Sequence, residues 1–238
     1  MNANFVPTAL VQRKIDRAAI KSARLAAECA GSLGSPSKMP GASYGIPAAE
    51  CITGTKLRSV EGSTCSKCYA YKRGNYGFSS VIASQYKRID ALRNDLEGWR
   101  DSMVAQIGAW AKTVPESERY FRWHDSGDLQ STEHLAAIVE IARQIPWVSF
   151  WIPTREYAMV RAFLVSGVIP RNLAIRLSAH MVDGKPPNIV AAGVTTSSVH
   201  ASAPAVGNTC PAPTQGNACR DCRACWSRDV ANVSYHVN

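Results

Sequence analysis

Cys210, Cys219, Cys222 and Cys225 stand in the stretch CPAPTQGNACRDCRACW at the spacing Cys-x8-Cys-x2-Cys-x2-Cys, four thiols in one short length of chain. A second group, Cys51-x13-Cys65-x2-Cys68, lies upstream, so seven of the eight cysteines fall into two clusters. Soft thiolates select zinc or iron–sulfur clusters, and two intervening residues let both sulfurs reach one centre from a tight turn. Three cysteines spaced by two, with a fourth farther off, form the bacterial-ferredoxin pattern, whereas zinc sites usually pair two separated Cys-x2-Cys knuckles. The spacing therefore predicts iron–sulfur ligation by Cys51, Cys65, Cys68, Cys210, Cys219, Cys222 and Cys225. The alternatives are a zinc ribbon, in which Cys65 and Cys68 join Cys222 and Cys225 or Cys219 and Cys222, and a disulfide scaffold. Cys29, in a helical stretch, reads as a buried structural thiol.

A different set of reactive side chains follows short apolar runs. After YFRW come His124, Asp125, Ser126, Gly127 and Asp128; after FWIP come Thr154, Arg155 and Glu156; AIRLS carries Arg176 and Ser178, with His180 beyond. His124, Asp128 and Arg155 are the catalytic candidates. His124 suits a general base or metal ligand, or a hydrogen-bonded structural role. An inward Arg155 or Arg176 needs a carboxylate or phosphate partner, from a ligand or from the protein. Asp128 has a plainer reading as the cap of the next helix. Trp123, Trp147 and Trp151 flank these runs and read as core rather than as a stacking platform.

The elements that must carry these residues alternate. Residues 10 to 30 have helical spacing and stop before Gly31; residues 31 to 77 are rich in Gly, Ser and Pro and read as ordered loops holding the first cysteine group. Residues 79 to 112 predict one long or two shorter amphipathic helices. YFRWH reads as a strand, the stretch opened by Ser131 as a helix, WVSFWIP as a strand, TREYAMVRAFLVSG as a helix stopped at Gly167, and NLAIRLSAH and NIVAAGVTTSS as further strands. This predicts an α/β fold, a parallel sheet either open or rolled into a partial (β/α) barrel, whose ligands lie at the carboxyl ends of the strands. Residues 1–200 would form the core with its N-terminal helices, and residues 201–238 a loop-rich, cysteine-rich lobe packed on it.

Composition narrows the class. A chain of 238 residues with 46% hydrophobic content can bury a core, and no apolar run reaches the roughly 18 residues of a membrane helix. The opening MNANFVPTALVQRKIDRAA lacks the apolar region of a signal peptide, which leads us to expect a cytoplasmic protein with free thiols. Lys and Arg number 27 against 18 acidic residues, a net charge of +9 that favours phosphate-bearing partners such as nucleic acid, although the basic residues are dispersed as on an ordinary solvated surface.

With SKMPGASYGIPA, the run Cys65-Ser-Lys-Cys68-Tyr-Ala, FRWHDSGDLQS, WIPTRE and CPAPTQGNACRDCRACW in view, the chain closely resembles the phage gene-product-88 family over residues 35 to 236. That family carries no assigned reaction, and it implies the cytoplasm of a phage-infected host cell. More distantly the pattern is similar to radical S-adenosylmethionine proteins. That resemblance implies that Cys51, Cys65 and Cys68 hold a 4Fe-4S cluster with one open iron chelated by S-adenosylmethionine. Ser126, Gly127 and Asp128 would then meet the cofactor amine, and Arg176 and Ser178 its carboxylate or ribose. Cys210, Cys219, Cys222 and Cys225 would hold a second, closed cluster. The first triad departs from the common Cys-x3-Cys-x2-Cys spacing, and Lys67 stands where an aromatic usually precedes the last cysteine. A single cluster drawing ligands from both groups stays open, as does a noncatalytic iron–sulfur or zinc protein that contacts nucleic acid or a host protein.

Overall fold

The computed structural model describes residues 22–72, 75–188 and 191–237. In chain order the elements are α1 (Ala23–Ala30), β1 (Ala42–Tyr44), α2 (Ile52–Leu57), α3 (Tyr69–Lys72), α4 (Ser79–Asn94), α5 (Leu96–Ala111) and β2 (Tyr120–Trp123). There follow α6 (Thr132–Gln144), β3 (Ser149–Thr154), α7 (Tyr157–Leu164), β4 (Leu173–Val182), β5 (Val194–His200), β6 (Asn208–Thr209) and β7 (Asn232–His236). Local chemistry sets several of the boundaries. Ser22 Oγ accepts from Leu25 N to open α1, and Ser131 Oγ accepts from His134 N to open α6. Asp95 divides the long amphipathic stretch in two, closing α4 through its backbone N–H and capping α5 through its carboxylate on Gly98 N.

The strands form one sheet in the order β1-β2-β3-β4-β5-β7-β6, with every neighbouring pair parallel. The sheet is open, which resolves the choice between open sheet and partial barrel. Because β1 to β5 follow one another across the sheet, right-handed crossovers place their helices on one face. Phe121, Trp123, Phe150, Ile152, Ile175 and Leu177 project to that face and share one core with Ile89, Met103, Ile107, Leu135, Ile138, Ile141 and Val160 of the helices. Among the described residues the opposite face has no layer of α-helices. There Tyr120, Trp151 and Val233 pack against Met39, Cys225 and Trp226, so the cysteine-rich segment does the covering.

Several expectations are refined. Residues 10 to 21 of the first helix lie outside the described residues, as do Ile189 and Val190 before β5. Trp123 and Trp151 are buried, but Trp147 is 48% exposed and is not core. Residues beyond 200 contribute β6 and β7 to the main sheet in addition to loops. Among the described residues no helix is long and apolar enough to cross a membrane.

Candidate functional site

The loop after β2 is built for close approach. His124 turns into the left-handed region at φ 56°, and its N–H donates to Tyr44 O at 2.8 Å, while Ile46 N donates to Ser126 O at 2.9 Å. Gly127 follows at φ 83°, where a Cβ would stand 2.3 Å from Ile46 Cγ1 and 2.8 Å from Ile46 O, so a side chain here collides as well as straining the backbone. The turn aims Asp128 across to β3. Its Oδ1 accepts from Leu129 N at 2.7 Å and Thr154 Oγ1 at 2.6 Å, and its Oδ2 accepts from Arg155 N at 2.9 Å. Asp128 therefore ties two strand ends together, while Ser131 caps the following helix.

The first cysteine group is held by the next two strand ends. Glu156, buried, grips the start of α2 with both oxygens, accepting from Thr53 N and Thr53 Oγ1 at 2.8 Å each, which fixes Cys51 immediately before that helix. Thr64 N donates to His180 O at 2.8 Å and Val182 N to Gly62 O at 2.9 Å, so the loop bearing Cys65 is stitched to the end of β4. Arg155 Nε donates to Thr64 Oγ1 at 3.0 Å. A Cβ on Gly54 would fall 3.5 Å from Cys65 Sγ and 3.7 Å from Cys51 Sγ, so the bare Cα leaves room between two thiols.

Cys51, Cys65 and Cys68 line one cavity of about 480 Å³ at the carboxyl ends of the strands, together with His124, Ser126, Gly127, Asp128, Arg155 and Ser178. Its volume falls in the ~300–1,000 Å³ range of small-ligand sites. Cys210, Cys219, Cys222 and Cys225 line a separate pocket of about 10 Å³ beside Trp226 and Val233, and Cys210 borders both spaces. None of the eight thiols is in a disulfide. Among the described residues no three His, Cys, Asp or Glu side chains are already gathered as a single bound ion requires; zinc holds thiolate sulfur at about 2.3 Å.

Arg176 stands apart from the other strand-end residues. It is fully buried and absent from the cavity wall, and each of its five N–H donors meets a backbone carbonyl. Nε donates to Cys225 O at 2.8 Å, Nη1 to Thr196 O and Val230 O at 3.0 Å each, and Nη2 to Ala224 O at 2.6 Å and Ser227 O at 2.7 Å. The residue expected to meet a cofactor carboxylate or ribose instead clamps the cysteine-rich segment to the sheet. Ser178 does face the cavity, where its Oγ accepts from Ser197 Oγ at 3.0 Å.

Burial shapes the electrostatics. It lowers the His124 pKa to about 3, with Arg122 adding to the effect, so the imidazole is neutral at physiological pH and is poorly suited to serve as a base there. Burial raises Asp128 to about 6 against the partial relief of its hydrogen bonds from Thr154, Arg155 and Leu129. Cys51 is pushed well up by burial, then by Asp128 and the neighbouring thiols, with Arg155 opposing. Burial also lifts Cys225 to about 11, opposed by the Tyr235 hydroxyl, 3.1 Å from its sulfur, and by Arg176.

The sequence model of gene product 88 matches residues 10–228. The chain belongs to the gene product 88 family. No curated protein and no solved structure matches it. The family match spans both cysteine groups and the cavity-lining ends of β1 to β5, and stops before β7. The comparisons return no radical S-adenosylmethionine protein, so within the gene product 88 family that relationship has no support beyond the arrangement of residues.

Sequence reasoning missed Arg122, Thr64 and Tyr69, and left Glu156 without a role. Arg122 alternates with Phe121 and Trp123 along β2, and that period of two was a usable signal that its side chain leaves the helix-covered face. Thr64 and Tyr69 adjoin Cys65 and Cys68, but nothing in their types announces that Tyr69 OH donates to Asp125 O across the cavity.

Proposed function

We propose that this gene product 88 protein is an iron–sulfur protein of radical S-adenosylmethionine type, with Cys51, Cys65 and Cys68 at the open site and the C-terminal four cysteines at a closed one. The observation that carries the reading is how seven thiols are distributed: Cys51, Cys65 and Cys68 on the wall of a roomy cavity at the strand ends, and the C-terminal four around a pocket with almost no space, of which Cys210 alone borders both. The donor sets fit, since all are soft sulfur ligands and Gly54 leaves space beside Cys51 and Cys65. When bound, a three-cysteine cluster would supply one-electron reduction of S-adenosylmethionine.

The chain's own residues would do the positioning. Ser126 and Gly127 present the turn over which a ligand lies, Arg155 offers positive charge beside Cys51 and Cys65, and Asp128 holds the β2 and β3 ends in register. A second reading, in which the C-terminal metal only secures its segment, draws on Arg176, which binds that segment through five carbonyls.

Anaerobic purification, with iron, sulfide and zinc counted per chain and electron paramagnetic resonance recorded with and without S-adenosylmethionine, tests both. About eight irons and a spectrum altered by the cofactor are expected for two 4Fe-4S clusters. About four irons, all lost in Cys222→Ala, with no response to the cofactor would leave the structural reading. Zinc without sulfide would remove the iron–sulfur proposal altogether.

A further inference from the structure

The cavity wall carries two guanidinium groups that no carboxylate among the described residues pairs directly, although Asp125 lies near enough to act on Arg122. Arg122 rises from β2 into the cavity with its Cζ 4.7 Å from the centre of the Trp151 ring, and its Nε is buried without a hydrogen-bond partner. Among the described residues its one side-chain hydrogen bond, from Nη2 to Tyr69 OH, is stretched to 3.5 Å. Arg155 binds a neutral threonine hydroxyl. Among the described residues neither guanidinium has a carboxylate within ion-pair distance. Two half-buried guanidinium groups with no carboxylate in direct contact, one with its Nε buried and unpartnered, favour an anion that supplies the counter-charge.

Neutral donors on the same wall are also waiting. Ser126 is 3% exposed and its Oγ has no partner; Trp151 is 5% exposed and its Nε1 has none. Buried polar groups are almost always satisfied, so orphans facing one cavity mark the place of a missing acceptor. Asp128 is committed elsewhere, accepting from Leu129 N and Thr154 Oγ1 on Oδ1 and from Arg155 N on Oδ2. Asp125 Oδ2 accepts from Ser43 Oγ at 3.0 Å, and its Oδ1, buried without a hydrogen-bond partner, is directed at Gly45.

We propose that this cavity binds a phosphate monoester, with Arg122 and Arg155 opposing its two negative charges and Ser126 Oγ and Trp151 Nε1 among its hydrogen-bond donors. A dianion balances two guanidinium groups, and its oxygens offer acceptors for planar Arg forks and for the neutral donors alike. The inference deepens the reading above by naming the class of molecule that shares the cavity with the first cysteine group. It stands on side chains alone, whatever metal those cysteines hold.

The test is isothermal titration calorimetry of the full chain, as purified and after iron removal, with adenosine 5′-monophosphate, inorganic phosphate and adenosine as probes. We expect the monophosphate to bind, adenosine to bind at least tenfold more weakly, and added salt to weaken the monophosphate alone. Inorganic phosphate binding as tightly as the monophosphate would identify the site as one for the phosphate group itself. Arg122→Met, which keeps bulk over Trp151, should lower monophosphate affinity at least tenfold with iron content and melting temperature unchanged. If Arg122→Met does not fold, Arg155→Gln is read for monophosphate affinity and melting temperature alone, because Arg155 also steadies Thr64 beside Cys65. No binding of either phosphate, equal affinity for adenosine and the monophosphate, or full affinity in a folded arginine variant would overturn the proposal. Phosphate binding by a protein that holds no iron would remove the cluster reading and leave this one standing; iron without phosphate binding would do the reverse.

Discussion

Replacing Arg176 by lysine keeps the buried positive charge and removes only the geometry of the guanidinium. Five backbone carbonyls, from Thr196, Ala224, Cys225, Ser227 and Val230, lie 2.6 to 3.0 Å from its nitrogens. An ammonium has three donors, so at least two carbonyls lose the arginine; Ala224 O keeps Ser227 N at 3.2 Å, and each other carbonyl left buried and unpaired costs about 1–3 kcal/mol. Arg176→Lys should therefore destabilise the protein by ~1–6 kcal/mol, a large share of a domain's whole stability. Urea unfolding followed by tryptophan fluorescence is the suitable assay, because Trp151 and Trp226 sit 5.2 Å apart in the layer that the clamp secures. Cys225 should also react faster with a thiol reagent in the variant under native conditions, since its carbonyl is one of those released. A stability loss below about 1 kcal/mol, with Cys225 still protected, would refute the argument that the five-donor fork holds the segment.

Other outcomes follow from single contacts. Asp128 has its pKa raised to about 6 from an ordinary 3.8, so folding favours its neutral form, and its contribution to stability is fullest below pH 3.8 and lost as pH rises through 6. At ~1.36 kcal/mol per pH unit, the stability of the native protein relative to Asp128→Asn should fall by ~3 kcal/mol between those limits; denaturant titrations giving a constant difference would contradict this. Glu156→Gln replaces one acceptor facing Thr53 with a donor, and a loss of ~1–2 kcal/mol is expected. Alkylation of Cys51 should quicken while Cys219 is unaffected, and equal change at both would show that Glu156 acts globally.

The sequence revealed those elements whose burial follows a simple period. YFRW, SFWIPT and LAIRL alternate or run apolar because one or both faces meet a core, and β2, β3 and β4 lie close to where that pattern puts them. β7 was illegible for the opposite reason. Its buried Asn232 and Ser234 are polar and pair with other side chains: Thr196 Oγ1 donates to Asn232 Oδ1 at 2.8 Å, Asn232 Nδ2 to Ser198 Oγ at 3.0 Å, and His200 Nδ1 lies 2.8 Å from Ser234 Oγ. A strand held by a polar ladder leaves no hydrophobic trace. In the same way, residue type could place Arg176 among groups needing an acceptor but could not say that carbonyls from residues 224 to 230 would provide it. The cavity residues were legible as a set because parallel strands bring their carboxyl ends together, whereas the partners that make Asp128 a tie and Arg176 a clamp are set by tertiary geometry.

The position of β7 has a consequence for how the chain is made. It lies between β5 and β6 and pairs in parallel with both, although it is synthesised after each of them. Until residues 232–236 leave the ribosome, the outer side of β5 is an unpaired edge and the Trp151 layer lacks Val233 from its packing. An exposed parallel edge invites pairing with other chains, and long-range parallel contacts form slowly. Nascent chains stalled or cut before Asn232 should thus be the species that chaperones bind and that aggregate, while release of five further residues lets the sheet close over its own edge.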